Sequence, residues 1–183
     1  MIKTVIFDID GTLIDSVDLH AQAWQEAFHH FGHNLDFLTV RHQIGKGGDQ
    51  LLPVFLTEEE IAKHGKEIEE YRSALFKRNY LPFVRPFPSV RELFQRILAD
   101  ERSIVLASSA KGDELEAYKK IAHIDDLIEA ETSSDDTKRS KPHPDIFAAA
   151  MQKAGNPAPT EVVVVGDTPY DTQAANKLGL PMI

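Results

Sequence analysis

The chain has 183 residues, enough for one packed core with or without a smaller inserted unit, and its 42% hydrophobic and 27% charged residues exclude a disordered or fibrous protein. With 20 Lys plus Arg against 29 Asp plus Glu the formal charge is -9, which argues against nucleic acid or an anionic membrane surface as partner and requires any enzyme acting on an anion to supply positive charge locally. The absence of cysteine removes disulfides, thiolate metal sites and cysteine nucleophiles, and with no apolar run near the length of a membrane span and an acid as early as Asp8 the expected location is the cytoplasm.

Ile2 to Phe7 is a β-branched and aromatic run closed by Asp, Gly and Thr, which reads as a buried strand entering a turn. From Ser16 to Phe83 the pattern is helical almost throughout, with Val17 to Phe31 and Glu58 to Lys77 as the longest candidates. Thr57 caps the second, and Glu58, Glu59 and Glu60 fall in its first turn, where the helix dipole favours acids; this is a helix start and not an acidic binding tract. The stretch Pro82 to Pro88 marks a return linker.

Beyond it, Ser89 to Ala99, Gly112 to Ile121, Pro144 to Ala154 and Pro169 to Leu178 read as helices. Ser103 to Ala107 and Val162 to Val165 are short, continuously apolar strands of the kind covered by helices on both faces. The alternation predicts an α/β fold with a parallel sheet, its core formed by residues 1–15 and 84–183 and interrupted by a helical insertion over residues 16–83. The closing residues Gly179 to Ile183 resemble the start of another strand, so the expectation is that either a final strand and helix are missing or the sheet closes early.

Asp8 and Asp10 leave the first strand at i and i+2, so both side chains leave the sheet on one side if the extended geometry persists. The carboxyl ends of parallel strands are where ligands bind in open α/β sheets. One carboxylate there can attack phosphorus, dividing a hydrolysis into two steps through an aspartyl phosphate, while the second moves protons to the leaving oxygen and from water. A bare turn, with Gly11 supplying an unusual backbone angle, is the alternative.

Asp167 and Asp171 follow the Val162 strand. Thr168 and Pro169 make a helix start that places Asp171 at its third position, where capping alone would explain an acid; Asp167 at the strand end suits a magnesium ligand better. Lys141, ahead of the helix near Pro144, is a candidate for the required positive charge, or a solvated loop lysine. Ser108 and Ser109 sit in the turn before another helix, where backbone N–H groups and a hydroxyl can hold phosphate oxygens, or are two loop serines.

Together these signals resemble the haloacid dehalogenase superfamily, whose four motifs are matched in order by Asp8-Ile9-Asp10-Gly11-Thr12, by Ser108 in LASSA, by Lys141 in SKPHPDIF, and by Gly166-Asp167 with Asp171 in GDTPYD. The likeness covers nearly the whole chain, and its first and last motifs are the specific ones. It implies a Rossmann-like core with an inserted α-helical cap domain and a Mg2+-dependent phosphatase of small phosphorylated metabolites. Asp8 would be nucleophile and metal ligand, Asp10 acid/base with its backbone carbonyl on the metal, and Asp167 a further ligand. By the same likeness Asp171 would support the metal, and Ser108 and Lys141 would hold the phosphoryl group.

Asp10 argues against dehalogenation, because the dehalogenases of this superfamily lack an acid there. Lys46, in Gly45-Lys46-Gly47-Gly48, is the cap lysine a phosphonate-cleaving relative would use as a Schiff base, but a solvated or phosphate-steering lysine explains it as well. Val17 to Trp24, with His20, is similar to the hinge of β-phosphoglucomutase-like members, so a sugar-phosphate mutase is the main alternative. Gly47, Gly48 and Asp49 stand where a mutase arginine is expected, which favours hydrolysis. A non-enzymatic binding protein on the same fold is the remaining reading. Gly45 to Asp49, His42, His20 and Ser109 are the candidate substrate contacts, and the resemblance leaves a monomer as the default, with a dimer open.

Overall fold

The computed structural model describes all residues from Met1 to Ile183. Four parallel strands make the central sheet: β1 (Thr4–Phe7), β4 (Ser103–Ala107), β5 (Ala130–Thr132) and β6 (Val162–Val165), in the order β5-β4-β1-β6. Ile6 pairs with Val105 on one side and Val164 on the other, so β1 lies inside the sheet. Two short segments, β2 (Ile14–Asp15) and β3 (Arg85–Pro86), pair antiparallel at the two crossings between the sheet and the helical insertion.

Side-chain alternation divides the core. Val5, Phe7, Ile104 and Leu106 pack on one face with α5 (Val90–Ala99) and α6 (Gly112–Ala122) through Phe94, Leu115 and Tyr118. Ile6, Val105, Ala107 and Val164 pack on the other with α7 (Asp145–Lys153) and α8 (Pro169–Asn176) through Phe147, Ala150 and Ala174. Both faces are covered, which is why these strands read as unbroken apolar runs.

The insertion has a core of its own, in which Trp24 and Phe28 of α1 (Val17–His30), Val40 of α2 (Phe37–Arg41), Leu51 and Leu52 of α3 (Gly48–Phe55) and Ile68 of α4 (Glu58–Leu75) come together. Thr57 and Glu60 form the capping box expected of α4, the Glu60 carboxylate accepting from the Thr57 N–H at 2.8 Å. Ala23 and Phe76 belong instead to the sheet-side core, so the base of the helical layer packs into the α/β unit. No helix is long and apolar enough to cross a membrane.

Three features differ from the sequence reading. β5 was not anticipated, because Ala-Glu-Thr is neither apolar nor alternating; the strand exists through pairing with β4, and the buried Thr132 hydroxyl donates to the Leu106 carbonyl at 3.2 Å. α4 stops at Leu75 and the chain continues as a wider π turn over Phe76–Tyr80. Gly48, read as part of a loop, opens α3. The closing residues do run beside the sheet: Met182 bridges Val164, and the Ile183 N–H donates to the Val164 carbonyl at 2.9 Å.

Candidate active site

Asp8 stands immediately after β1, its N–H bound to the Val165 carbonyl of β6 at 2.9 Å, and its carboxylate is almost fully buried. Lys141 donates to Asp8 Oδ1, and the same ammonium lies 2.6 Å from Asp171 Oδ1. Lys141 is 1% exposed and Asp171 0%. Lys141 is therefore no solvated loop lysine. Burial pulls its pKa down, but the charges of Asp171 and Asp8 more than offset this and leave it above the ordinary lysine range. Burial likewise pushes Asp8 well above the usual carboxylate range, helped by Asp171 and Asp10 and opposed by Lys141.

Asp171 satisfies both readings made of it. Oδ2 accepts from the Thr168 hydroxyl at 2.5 Å and the Thr168 N–H at 3.1 Å, completing a capping box at the start of α8, while Oδ1 faces Lys141. The cap thus fixes the carboxylate that faces the lysine.

Ligand oxygens of Asp8, Asp167 and Asp171 all lie within 4.8 Å of one another. Asp167 is raised to about 6, first by burial and then by the Asp171 charge. Three hard oxygen donors crowded beyond the carboxyl ends of β1 and β6 suit a hard divalent cation, which would relieve their mutual repulsion. Gly11, at φ +84, closes this corner: a Cβ there would meet Asp167 Oδ2 at 2.2 Å. The Asp10 carboxylate is not one of these three, because Ser16 and His20 hold its Oδ1.

The Asp10 carboxylate turns toward the helical layer, accepting from Ser16 Oγ at 2.5 Å and lying 3.0 Å from His20 Nε2. Burial pushes it up, but the His20 ring and hydrogen bonds from His20, Ser16 and Tyr118 outweigh burial and hold it below the usual range. His20 is buried, stacks on Phe76 at 3.9 Å, and also meets the Tyr118 hydroxyl at 2.9 Å.

Asp8, Asp10, His20, Gly45, Lys46, Gly47, Gly48 and Ser109 border one narrow cleft between the helical layer and the sheet, partly open to solvent. Ser108 is not on its wall; it is fully buried, and its Oγ accepts from the Ala110 N–H at 3.0 Å, whereas the buried Ser109 Oγ has no protein partner. Lys46 Nζ donates to Gln43 Oε1 at 2.6 Å and lies 4.8 Å over the Tyr170 ring, and burial lowers its pKa. His42 lies outside the cleft, its carbonyl accepting from the Tyr170 hydroxyl at 2.7 Å. The Asp49 carboxylate accepts from the Ser140 N–H at 3.1 Å. A Cβ on Gly45 would come 2.7 Å from Thr168 Cγ2 and one on Gly47 2.0 Å from Ser140 Oγ, so these glycines let the loop press against the sheet side.

Trp24, Arg72 and Glu114 also line the cleft, and the sequence reading missed all three as site residues. Trp24 and Arg72 look like ordinary residues of amphipathic helices, and an acid in the first turn of α6 is explained by the helix dipole. Only the chain's folding brings them beside Asp10.

The sequence profile of the haloacid dehalogenase-like hydrolases matches residues 5–183. Among curated proteins, the chain is 26% identical over 184 residues to a fructose-1-phosphate phosphatase of Escherichia coli, covering 98% of this chain and 94% of that one. It is 29% identical over 171 residues to a pyrophosphatase of Oceanobacillus iheyensis, covering 93% and 77% respectively. Among solved structures, a hydrolase from Pseudomonas syringae superposes with a TM-score of 0.86 at 28% identity, covering 98% of this chain and 82% of that one. With nearly its full length matched, and with the parallel sheet, helical cap and site geometry in place, the chain belongs to the haloacid dehalogenase-like hydrolase family.

Proposed function

We propose that this protein is a magnesium-dependent phosphatase that hydrolyses a small phosphomonoester, a sugar phosphate or a phosphoglycolate-like compound, through an aspartyl phosphate on Asp8. The observation that carries the reading is Asp8 itself, a buried carboxylate at the carboxyl end of β1, held by Lys141 from behind and bordering the cleft in front. The names of the relatives, which include phosphatases of fructose-1-phosphate and pyrophosphate, support it.

In this reading an oxygen of Asp8 attacks phosphorus, and Lys141 fixes the nucleophile and offsets negative charge. Asp10, oriented by Ser16 and His20, is the proton carrier: it is ionised in the resting site, as its lowered pKa requires, so it must gain a proton as the ester binds before it gives one to the departing oxygen and then takes one from the water that cleaves the acyl phosphate. Ser109 and the backbone beside Ala110 face the transferred group, and Ser108 shapes that turn from below. Asp8, Asp167 and the Asp10 carbonyl would hold Mg2+, with Asp171 in support; the ion supplies neutralising charge to the phosphoryl oxygens. The Gly45 to Gly47 loop lines the cleft from the helical layer and limits its opening to water.

A mutase would need a cap cation free to hold a second phosphate. Of the two that border the cleft, Lys46 is held by Gln43 and Arg72 has its charge offset by Glu114 at 3.8 Å, so neither brings a surplus positive charge for a second phosphate, which favours hydrolysis. The test is phosphate release from a panel of phosphate esters with magnesium. Release that disappears in Asp8→Asn and with chelator supports the proposal; turnover retained in Asp8→Asn overturns the nucleophile, and interconversion of hexose phosphates without release identifies a mutase.

A further inference from the structure

The cleft that Asp8 borders also contains a charge pair that is not made as structural pairs are. Arg72 comes from α4 of the cap and Glu114 from the first turn of α6, so the two meet only across the cleft. Glu114 is 2% exposed, yet its Oε1 lies 3.8 Å from Arg72 Nη1, beyond hydrogen-bond range. A structural Arg–Glu pair is normally bidentate at a shorter distance. Here Arg72 Nε and Nη1 are buried and have no hydrogen-bond partner. Glu114 Oε1 receives a long hydrogen bond of 3.3 Å from the Tyr118 hydroxyl. The guanidinium lies over the Trp24 ring, Cζ 5.0 Å from its centroid, which fixes the plane of the fork. Buried polar groups are almost always satisfied in native proteins, so donors left open at the edge of a reaction cleft mark a place for ligand atoms.

We propose that Arg72 and Glu114 are the specificity pair of this cleft and select a phosphate ester whose leaving group carries neutral hydroxyls, a sugar or polyol, over one that ends in a carboxylate or a second phosphate. The inference rests on the phosphatase reading above and narrows it to one substrate class. A hydroxyl accepts from a guanidinium and donates to a carboxylate at the same time, so it answers both members of the pair. A carboxylate or phosphate could accept from Arg72 but would stand against Glu114, with the Asp10 carboxylate lining the same cleft. Arg72 supplies no surplus positive charge to meet it, because Glu114 offsets its own, and the Lys46 ammonium is held by Gln43. A site built to hydrogen-bond hydroxyls discriminates sharply against compounds that lack them.

The test compares kcat/KM for glycerol phosphate and a hexose phosphate with that for phosphoglycolate and pyrophosphate, in the wild-type protein, Glu114→Gln and Arg72→Lys, with magnesium throughout. The wild type is expected to favour the hydroxyl-bearing esters by about tenfold or more, the scale of one well-made polar contact. Glu114→Gln keeps the shape and removes the charge, so the ratio of hydroxyl-bearing to anionic substrates falls by about tenfold. Arg72→Lys keeps the charge and loses the fork, so it lowers turnover of the hydroxyl-bearing esters without improving the anionic ones. A wild-type preference for phosphoglycolate or pyrophosphate overturns the proposal, as does a ratio that stays within twofold in folded Glu114→Gln. Should Glu114→Gln fail to fold, the wild-type order and Arg72→Lys decide. Failure of the phosphatase reading looks different: no phosphate is released even from acetyl phosphate, and calorimetric binding of glycerol phosphate against phosphoglycolate then decides the preference without turnover.

Discussion

Replacing Lys141 with Met keeps most of the side-chain volume and removes the charge that lies between Asp8 and Asp171. In the native protein the ammonium is 1% exposed, and the side chains it joins are 6% and 0% exposed. Water cannot take its place, so Lys141→Met leaves two carboxylates facing each other in a medium that solvates neither. Removing one partner of a buried ion pair costs about 3–5 kcal/mol. For a chain of this size about 1 kcal/mol corresponds to 2–4 °C, so the melting temperature should fall by roughly 6–20 °C. Urea denaturation followed by the fluorescence of the single tryptophan, Trp24, and by circular dichroism measures the loss. Chelator is present so that magnesium does not stand in for the ammonium. Adding Asp171→Asn to the variant removes one of the two facing charges while leaving an oxygen for the Thr168 cap, so the double variant should be at least about 1 kcal/mol more stable than the sum of the single effects predicts. A loss below about 1 kcal/mol for Lys141→Met, or strict additivity in the double variant, would refute the argument that this lysine is held by two buried carboxylates.

Gly47→Ala places a Cβ 2.0 Å from Ser140 Oγ and should lower kcat/KM by about tenfold through a poorly closed loop, with partial recovery in Gly47→Ala/Ser140→Gly; steady-state kinetics of the two variants checks this. Asp126 accepts twice from the Arg91 guanidinium, at 2.6 and 2.8 Å, and these hydrogen bonds hold its carboxyl at about 2, below the ordinary 3.8. Its folded value is the lower one, so the stability it contributes is present above pH 3.8 and is lost as the pH falls toward about 2; acid-unfolding curves should flatten over that interval in Asp126→Asn. Thr57→Ala removes the N-cap of α4, far from the cleft, and should cost about 1 kcal/mol in urea denaturation while changing kcat/KM less than twofold.

Much of this protein was legible in the chain because the signals are local. Unbroken apolar runs mark β1, β4 and β6, since strands covered on both faces need no polar side. Thr57 with Glu60 and Thr168 with Asp171 mark helix starts, since capping acts over three residues. Asp8, Asp167 and Asp171 could be singled out as candidates because they follow buried apolar strands, where open α/β sheets bind ligands, although capping alone would also account for Asp171.

Tertiary structure decided the rest. The three residues of β5 carry no periodic signal, and only hydrogen bonds from β4 make them a strand. Lys141 has the sequence context of an exposed loop, and what makes it an interior cation is its meeting with Asp8, 133 residues away along the chain. Arg72 and Glu114 each look explained within their own helices, and neither pattern contains the other. Helix and strand propensities sum over neighbours in sequence, whereas burial, charge pairing and the composition of a cleft depend on which distant segments the packed core brings together, and that is where the chemistry of this site was settled.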